Sequence, residues 1–104
     1  MTTGARLLEL DAGHYRLEGV LDFSTVVPVA VAGQALLQRD VSIHIDLSAV
    51  TGANSAGLVL LLEWMDLARA RRARLTYSHL PASLARIAGM SNLTDLLPLA
   101  PPRA

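Results

Sequence analysis

Between Val41 and Arg72 the side-chain pattern changes period once, and this switch limits what the chain can fold into. Val41, Ile43, Ile45 and Leu47 alternate with Ser42, His44 and Asp46, which predicts a strand with one buried face and one polar face. Thr51 to Ala53 read as a loop. From Ser55 to about Arg72 apolar residues recur at helical spacing, which predicts a long helix. A half-buried strand that runs into an apolar helix cannot hide either surface alone. It requires a sheet with helices packed on it.

The flanking segments supply the rest of such a sheet. Leu7–Leu10 and Tyr15–Val20 read as two short strands joined by the turn residues Asp11-Ala12-Gly13. Phe23–Gln38 is a helix candidate, with Ser24 as its expected N-cap and Pro28 near the first turn, where proline is tolerated. Leu75–His79 reads as a strand with Leu75 and Tyr77 on one face. Leu80-Pro81 opens a helix through about Met90, in which Leu84, Ile87 and Ala88 share a side. Leu93–Leu97 forms a closing turn or short helix. The order is β-β-α-β-α-β-α. Strands separated by helices imply right-handed crossovers, so the expected fold class is a small α/β sandwich with helices packed on the sheet. No linker or repeat divides the chain. Residues 1–97 are expected to form one domain, and 98–104 an irregular tail containing Pro98, Pro101 and Pro102.

Composition removes several functional classes. The nine basic residues, all Arg, balance nine acidic ones, so there is no basic surplus to suggest nucleic-acid binding. The cluster Arg69, Arg71, Arg72 and Arg74 falls at a helix end, where cations complement the dipole and cap carbonyls; contact with a phosphate or a headgroup is the alternative. There is no Cys, hence no disulfide, thiol nucleophile or zinc finger. The N-terminal residues lack the apolar stretch of a signal peptide, and the run Val26–Gly33 is too short to span a bilayer. The expectation is a cytoplasmic protein without direct membrane insertion, with any membrane association coming through a partner.

The informative site is the junction Asp46-Leu-Ser-Ala-Val-Thr-Gly-Ala-Asn-Ser-Ala-Gly-Leu58. The first turn of a helix has unpaired N–H groups and favours hydrogen-bond acceptors. Asn54 and Ser55 are good N-cap residues, and Ala56 and Gly57 are expected to leave the backbone uncovered for another surface. Each also has a plain structural explanation, as a cap or as a close-packing glycine. The following helix adds a second observation. Leu58, Leu60, Leu61, Leu62, Trp64, Met65, Leu67 and Ala68 spread over roughly 200°, about twice the stripe a surface helix needs. Either one edge meets a partner or the helix beginning near Ser24 covers it.

Other constellations are weaker. His44 and Asp46 share a strand face, but ligands at metal spacing are missing, and no metal or cofactor is expected. Ser55, His79 and Asp46 are the residue types of a nucleophile, base and orienter, yet no nucleophile-elbow motif accompanies them. No catalytic residue is assigned, and the chain is expected not to be an enzyme.

The stretch from Ile45 to Leu93 resembles STAS domains, the fold of bacterial anti-sigma factor antagonists. These carry Asp-Ser/Thr-x-Gly between a strand and an apolar helix. The corresponding residues here are Asn54-Ser55-Ala56-Gly57. "LDFSTVVPV", "IDLS", "GLVLLLEWMDLA" and "LARIAGMSNLTDLLP" extend the likeness to MlaB-like members over roughly residues 14–98. That resemblance implies a non-catalytic cytoplasmic subunit of a phospholipid ABC transporter in Gram-negative bacteria, serving outer-membrane lipid asymmetry. It implies binding to an MlaF-like ATPase subunit, whose assembly or activity it supports, and indirect contact with MlaE-like permease and MlaD-like subunits. It places Ser55 at the ATPase interface. Thr51, Asn54, Ser55, Ala56, Gly57 and Leu58 are the expected partner-binding residues. The alternative is an anti-sigma factor antagonist switched by phosphorylation at Ser55. Asn54 in place of the usual Asp keeps the cap and loses the charge, which counts against that alternative. A third possibility, direct lipid or small-molecule binding, rests only on overall apolarity.

Overall fold

The computed structural model describes residues 4–100. Its elements are β1 (Ala5–Asp11), β2 (His14–Leu21), α1 (Val26–Arg39), β3 (Ser42–Ala53), α2 (Ser55–Ala70), β4 (Arg74–Ser78) and α3 (Ala82–Met90). A 3-10 turn follows at Thr94–Leu96. The strands form one mixed sheet in the order β1-β2-β3-β4, with β1 antiparallel to β2 and the two remaining pairs parallel. The expected α/β class and element order are both present.

The alternation in β3 defines the two faces of the sheet. Ile43, Ile45 and Leu47 point into a single core with Tyr15, Leu17, Leu75 and Tyr77, and there they meet Leu58, Leu61 and Trp64 of α2 and Leu84 and Ala88 of α3. The opposite face is polar. On it Arg6 pairs with Glu18 at 3.2 Å, and His44 lies 2.7 Å from Thr76 Oγ1 and 2.9 Å from Ser78 Oγ. Tyr77 crosses the core to donate its hydroxyl hydrogen to the Leu61 carbonyl at 2.7 Å, and burial pushes its pKa far up.

The contact between α1 and α2 depends on Gly33. A Cβ at that position would stand 2.3 Å from Cε2 of Trp64, well inside the ordinary 3.5–4.0 Å carbon contact. The absence of a side chain lets α1 lie directly on the indole, which is 1% exposed.

Several local expectations change. β3 does not stop at Leu47. It continues through Thr51–Ala53, expected as a loop, and pairs Ala49, Val50, Gly52 and Ala53 with β2. Asp46 interrupts the regular pattern, because its Oδ1 accepts the Ser48 N–H at 2.9 Å and its Oδ2 accepts the Ser48 hydroxyl at 3.0 Å. The register with β2 shifts in the same region. Ser24 does not cap α1. Its hydroxyl donates to Asp22 Oδ1 at 2.6 Å, and the N-cap position is held by Thr25, whose hydroxyl donates to the Val20 carbonyl at 2.7 Å.

α2 ends at Ala70 rather than Arg72. Arg72 takes a left-handed conformation, φ 56, and Ala73 donates its N–H to the Ala68 carbonyl at 2.8 Å, the closure of a Schellman motif. Of the arginine cluster, Arg71 donates to the Gln38 carbonyl at 3.1 Å, so it caps the end of α1 rather than its own helix. The first three residues of the tail, 98–100, form no helix or strand but lie along β4. Tyr77 donates its N–H to the Pro98 carbonyl at 3.0 Å, and Ala100 donates to the Tyr77 carbonyl at 2.8 Å, which covers part of the outer edge of β4. Residues 101–104 lie outside the described residues.

Candidate functional site

The N-terminus of α2 emerges where β3 leaves the sheet. Asn54 is held in extended conformation by its N–H, which donates to the Leu21 carbonyl at 3.1 Å. Its side-chain Oδ1 accepts the Ala56 N–H at 2.9 Å, an N-cap. Ser55 is the first helical residue and is exposed, and the first turn contains no acidic residue. Thr51 is exposed on the last stretch of β3. Exposed hydroxyls at Thr51 and Ser55 and the Asn54 amide thus surround the positive end of a 16-residue helix.

The other expected partner-binding residues lie differently. Ala56 and Leu58 are buried, and Gly57 is buried beneath them. A Cβ on Gly57 would meet Leu21 Cβ at 3.1 Å, Ala53 Cβ at 3.2 Å and Leu84 Cδ2 at 3.3 Å. The uncovered backbone expected at Ala56 and Gly57 is therefore replaced by close packing against the sheet and α3. These residues fix where Ser55 stands, and of the three only Ala56 also lines a neighbouring groove.

The wide apolar arc of α2 is divided between two fates. Trp64 and Leu60 are covered by α1, and Leu61 and Leu58 face the core. An open groove remains between α1 and α2, with a volume of about 400 Å³. Its rims carry Phe23, Val27 and Val31 on one side and Val59 on the other, which are 74%, 66%, 62% and 58% exposed. Ala56, Leu60 and Trp64 form its floor. The apolar rim on α1 is the feature the sequence reading missed. Val27 and Val31 at i, i+4 with Phe23 one turn earlier were the available signal.

The polar residues considered for catalysis do not converge on Ser55. His79 Nδ1 lies 3.0 Å from Asp46 Oδ1 and Arg16 Nε lies 3.7 Å from Asp46 Oδ2, on the polar face of the sheet. Asp46 precedes the end of β3 by seven residues, on the order of 20 Å of strand, and Ser55 lies beyond that end. Burial raises the Asp46 pKa, but the Ser48 N–H and hydroxyl, with His79, outweigh it and hold the carboxyl below its ordinary value. Among the described residues no group of three or more His, Asp or Glu is arranged to hold a metal ion, and no helix is long and apolar enough to cross a membrane.

This fold is shared with solved anti-sigma factor antagonists. One from Mycobacterium paratuberculosis aligns with a TM-score of 0.74 at 22% identity, covering 94% of this chain and 85% of that one. The anti-sigma factor antagonist SpoIIAA in its unphosphorylated form aligns at 0.73 and 14% identity, covering 95% and 88%. The Bacillus cell fate determinant SpoIIAA in its phosphorylated form aligns at 0.71 and 14%, covering 95% and 91%. At these identities the likeness is one of fold alone. The sequence carries the assignment further. Residues 7–98 match the family model described as "Mlab, STAS domain", and the chain belongs to that family. No curated protein matches it.

Proposed function

We propose that this chain is a non-catalytic subunit that docks on the ATPase of a phospholipid-transporting ABC complex and supports its assembly or activity. The observation that carries this reading is the match of residues 7–98 to the MlaB-type STAS model. The exposed helix start formed by Asn54 and Ser55 agrees with it, because it offers hydroxyl, amide and helix-dipole contacts without catalytic partners nearby. Thr51, Asn54 and Ser55 set the register of docking, and Ala56, Gly57 and Leu58 hold that surface in place from beneath. The domain sits at the cytoplasmic face of the inner membrane through this partner, with MlaE-like permease and MlaD-like subunits contacted indirectly.

A second reading has its own support. Structures of anti-sigma factor antagonists, one of them phosphorylated, share the fold. Phosphate on Ser55 would face the positive end of α2, a favourable position for an anion. Asn54 in place of the Asp common in those proteins favours the transporter reading.

The test is the affinity of the purified chain for its cognate ABC ATPase, with Ser55→Arg as the variant. The expected result is a folded variant, by circular dichroism, that no longer associates. A folded Ser55→Arg protein that still binds would remove Ser55 from the interface.

A further inference from the structure

The groove between α1 and α2 has a feature beyond its apolarity. Glu63 lies on its α2 rim, one turn after Val59, and is the only charged residue in its lining. It is exposed and has no ion-pair or hydrogen-bond partner among the described residues. Gln34, also in the lining, is neutral. Val27 and Val31 on α1, and Val59 and Glu63 on α2, form two i, i+4 ridges, and a third helix packs its own ridge into the space between such ridges.

We propose that this groove receives an amphipathic helix of the partner protein, with its apolar face on Val27, Val31 and Val59 and an Arg or Lys placed against Glu63. The occupant rests on the docking reading above, since the groove includes Ala56 and is continuous with the α2 N-terminus. Charge decides among the other occupants of an apolar groove. An anionic lipid surface would meet an unpaired carboxylate and no cation in the lining. A second copy packed groove to groove about a two-fold axis would bring two Glu63 carboxylates together. A helix bearing a cation satisfies both the apolar rims and the lone acid.

The rim from Phe23 to Val31 spans nine residues, so two to three turns of helix, roughly 12–16 Å, are sufficient.

The test uses the full chain bound to its cognate ATPase. A photoreactive phenylalanine analogue at Val31 reports what occupies the groove, and affinities are measured for Glu63→Arg, Val31→Asp and Ser55→Arg. The expected result is cross-linking confined to one helical segment of the ATPase that carries an Arg or Lys. Glu63→Arg should weaken binding by about tenfold or more, and changing that partner cation to Glu should restore it. Cross-links to lipid or to a second copy of this chain would overturn the proposal. So would unchanged affinity of Glu63→Arg and Val31→Asp beside a loss with Ser55→Arg, which would leave the docking reading standing and the groove outside it. Loss with Glu63→Arg but not with Ser55→Arg would support the groove and move the docking site away from Ser55.

Discussion

Gly33→Ala separates the packing described here from ordinary helix behaviour, because the two predict opposite signs. In an exposed helix interior this change stabilises by about 1 kcal/mol, since alanine is the better helix former. At Gly33 the new Cβ would lie 2.3 Å from Cε2 and 2.4 Å from Cζ2 of Trp64. Restoring ordinary contact needs more than about 1 Å of extra separation. The indole cannot swing aside cheaply, since it is buried between α1 and the sheet core. Overpacking of this kind costs typically 1–3 kcal/mol. With the upper end appropriate to a collision this close, the net loss is about 1–2 kcal/mol. For a domain of this size that lowers Tm by about 4–16 °C. Gly89→Ala is the control, because a Cβ in that α3 position meets nothing within 4 Å, and it should stabilise by up to about 1 kcal/mol. Urea unfolding followed by circular dichroism reads both. A Gly33→Ala protein as stable as Gly89→Ala would refute the seating of α1 on Trp64, and with it the shape of the groove floor.

Three further outcomes are expected. Asn54→Ala removes the cap to the Ala56 N–H and should cost about 0.5–2 kcal/mol in urea unfolding. Tyr77→Phe deletes a buried hydroxyl donor to the Leu61 carbonyl and should cost about 1 kcal/mol, with the near-ultraviolet signal of Trp64 preserved. The folded Asp46 carboxyl lies below its ordinary value near 3.8, so its contribution is present above that pH and is lost as pH falls through the folded pKa. The Tm difference between the unaltered protein and Asp46→Asn should therefore shrink as pH falls below about 4.

What could be read from the sequence follows from the range of each interaction. The period-2 run at Val41–Leu47 and the apolar helix after Ser55 are local patterns, and they fixed the sheet face and the element order. Asn54 as a cap is equally local. The continuation of β3 through Thr51–Ala53 is not, because Ser48, Thr51 and Gly52 lack strand alternation and are held there by pairing with β2. Ser24 was misread as the cap because Asp22 two residues earlier takes its hydroxyl. The exposure expected at Gly57 failed because two of the side chains packed on it, Leu21 and Leu84, come from distant parts of the chain. The groove depends on Gly33 meeting Trp64 across 31 positions. The sequence could suggest an apolar edge on α2, but only the helix pairing shows which part of it stays open.

The central claim is tested most directly by copurification of the tagged chain from its native membranes in mild detergent, with mass spectrometry of what remains bound. The account predicts an ABC ATPase together with an integral permease. Recovery of a GHKL-type kinase with no ATPase would contradict it and turn Ser55 from a docking residue into a phosphorylation switch.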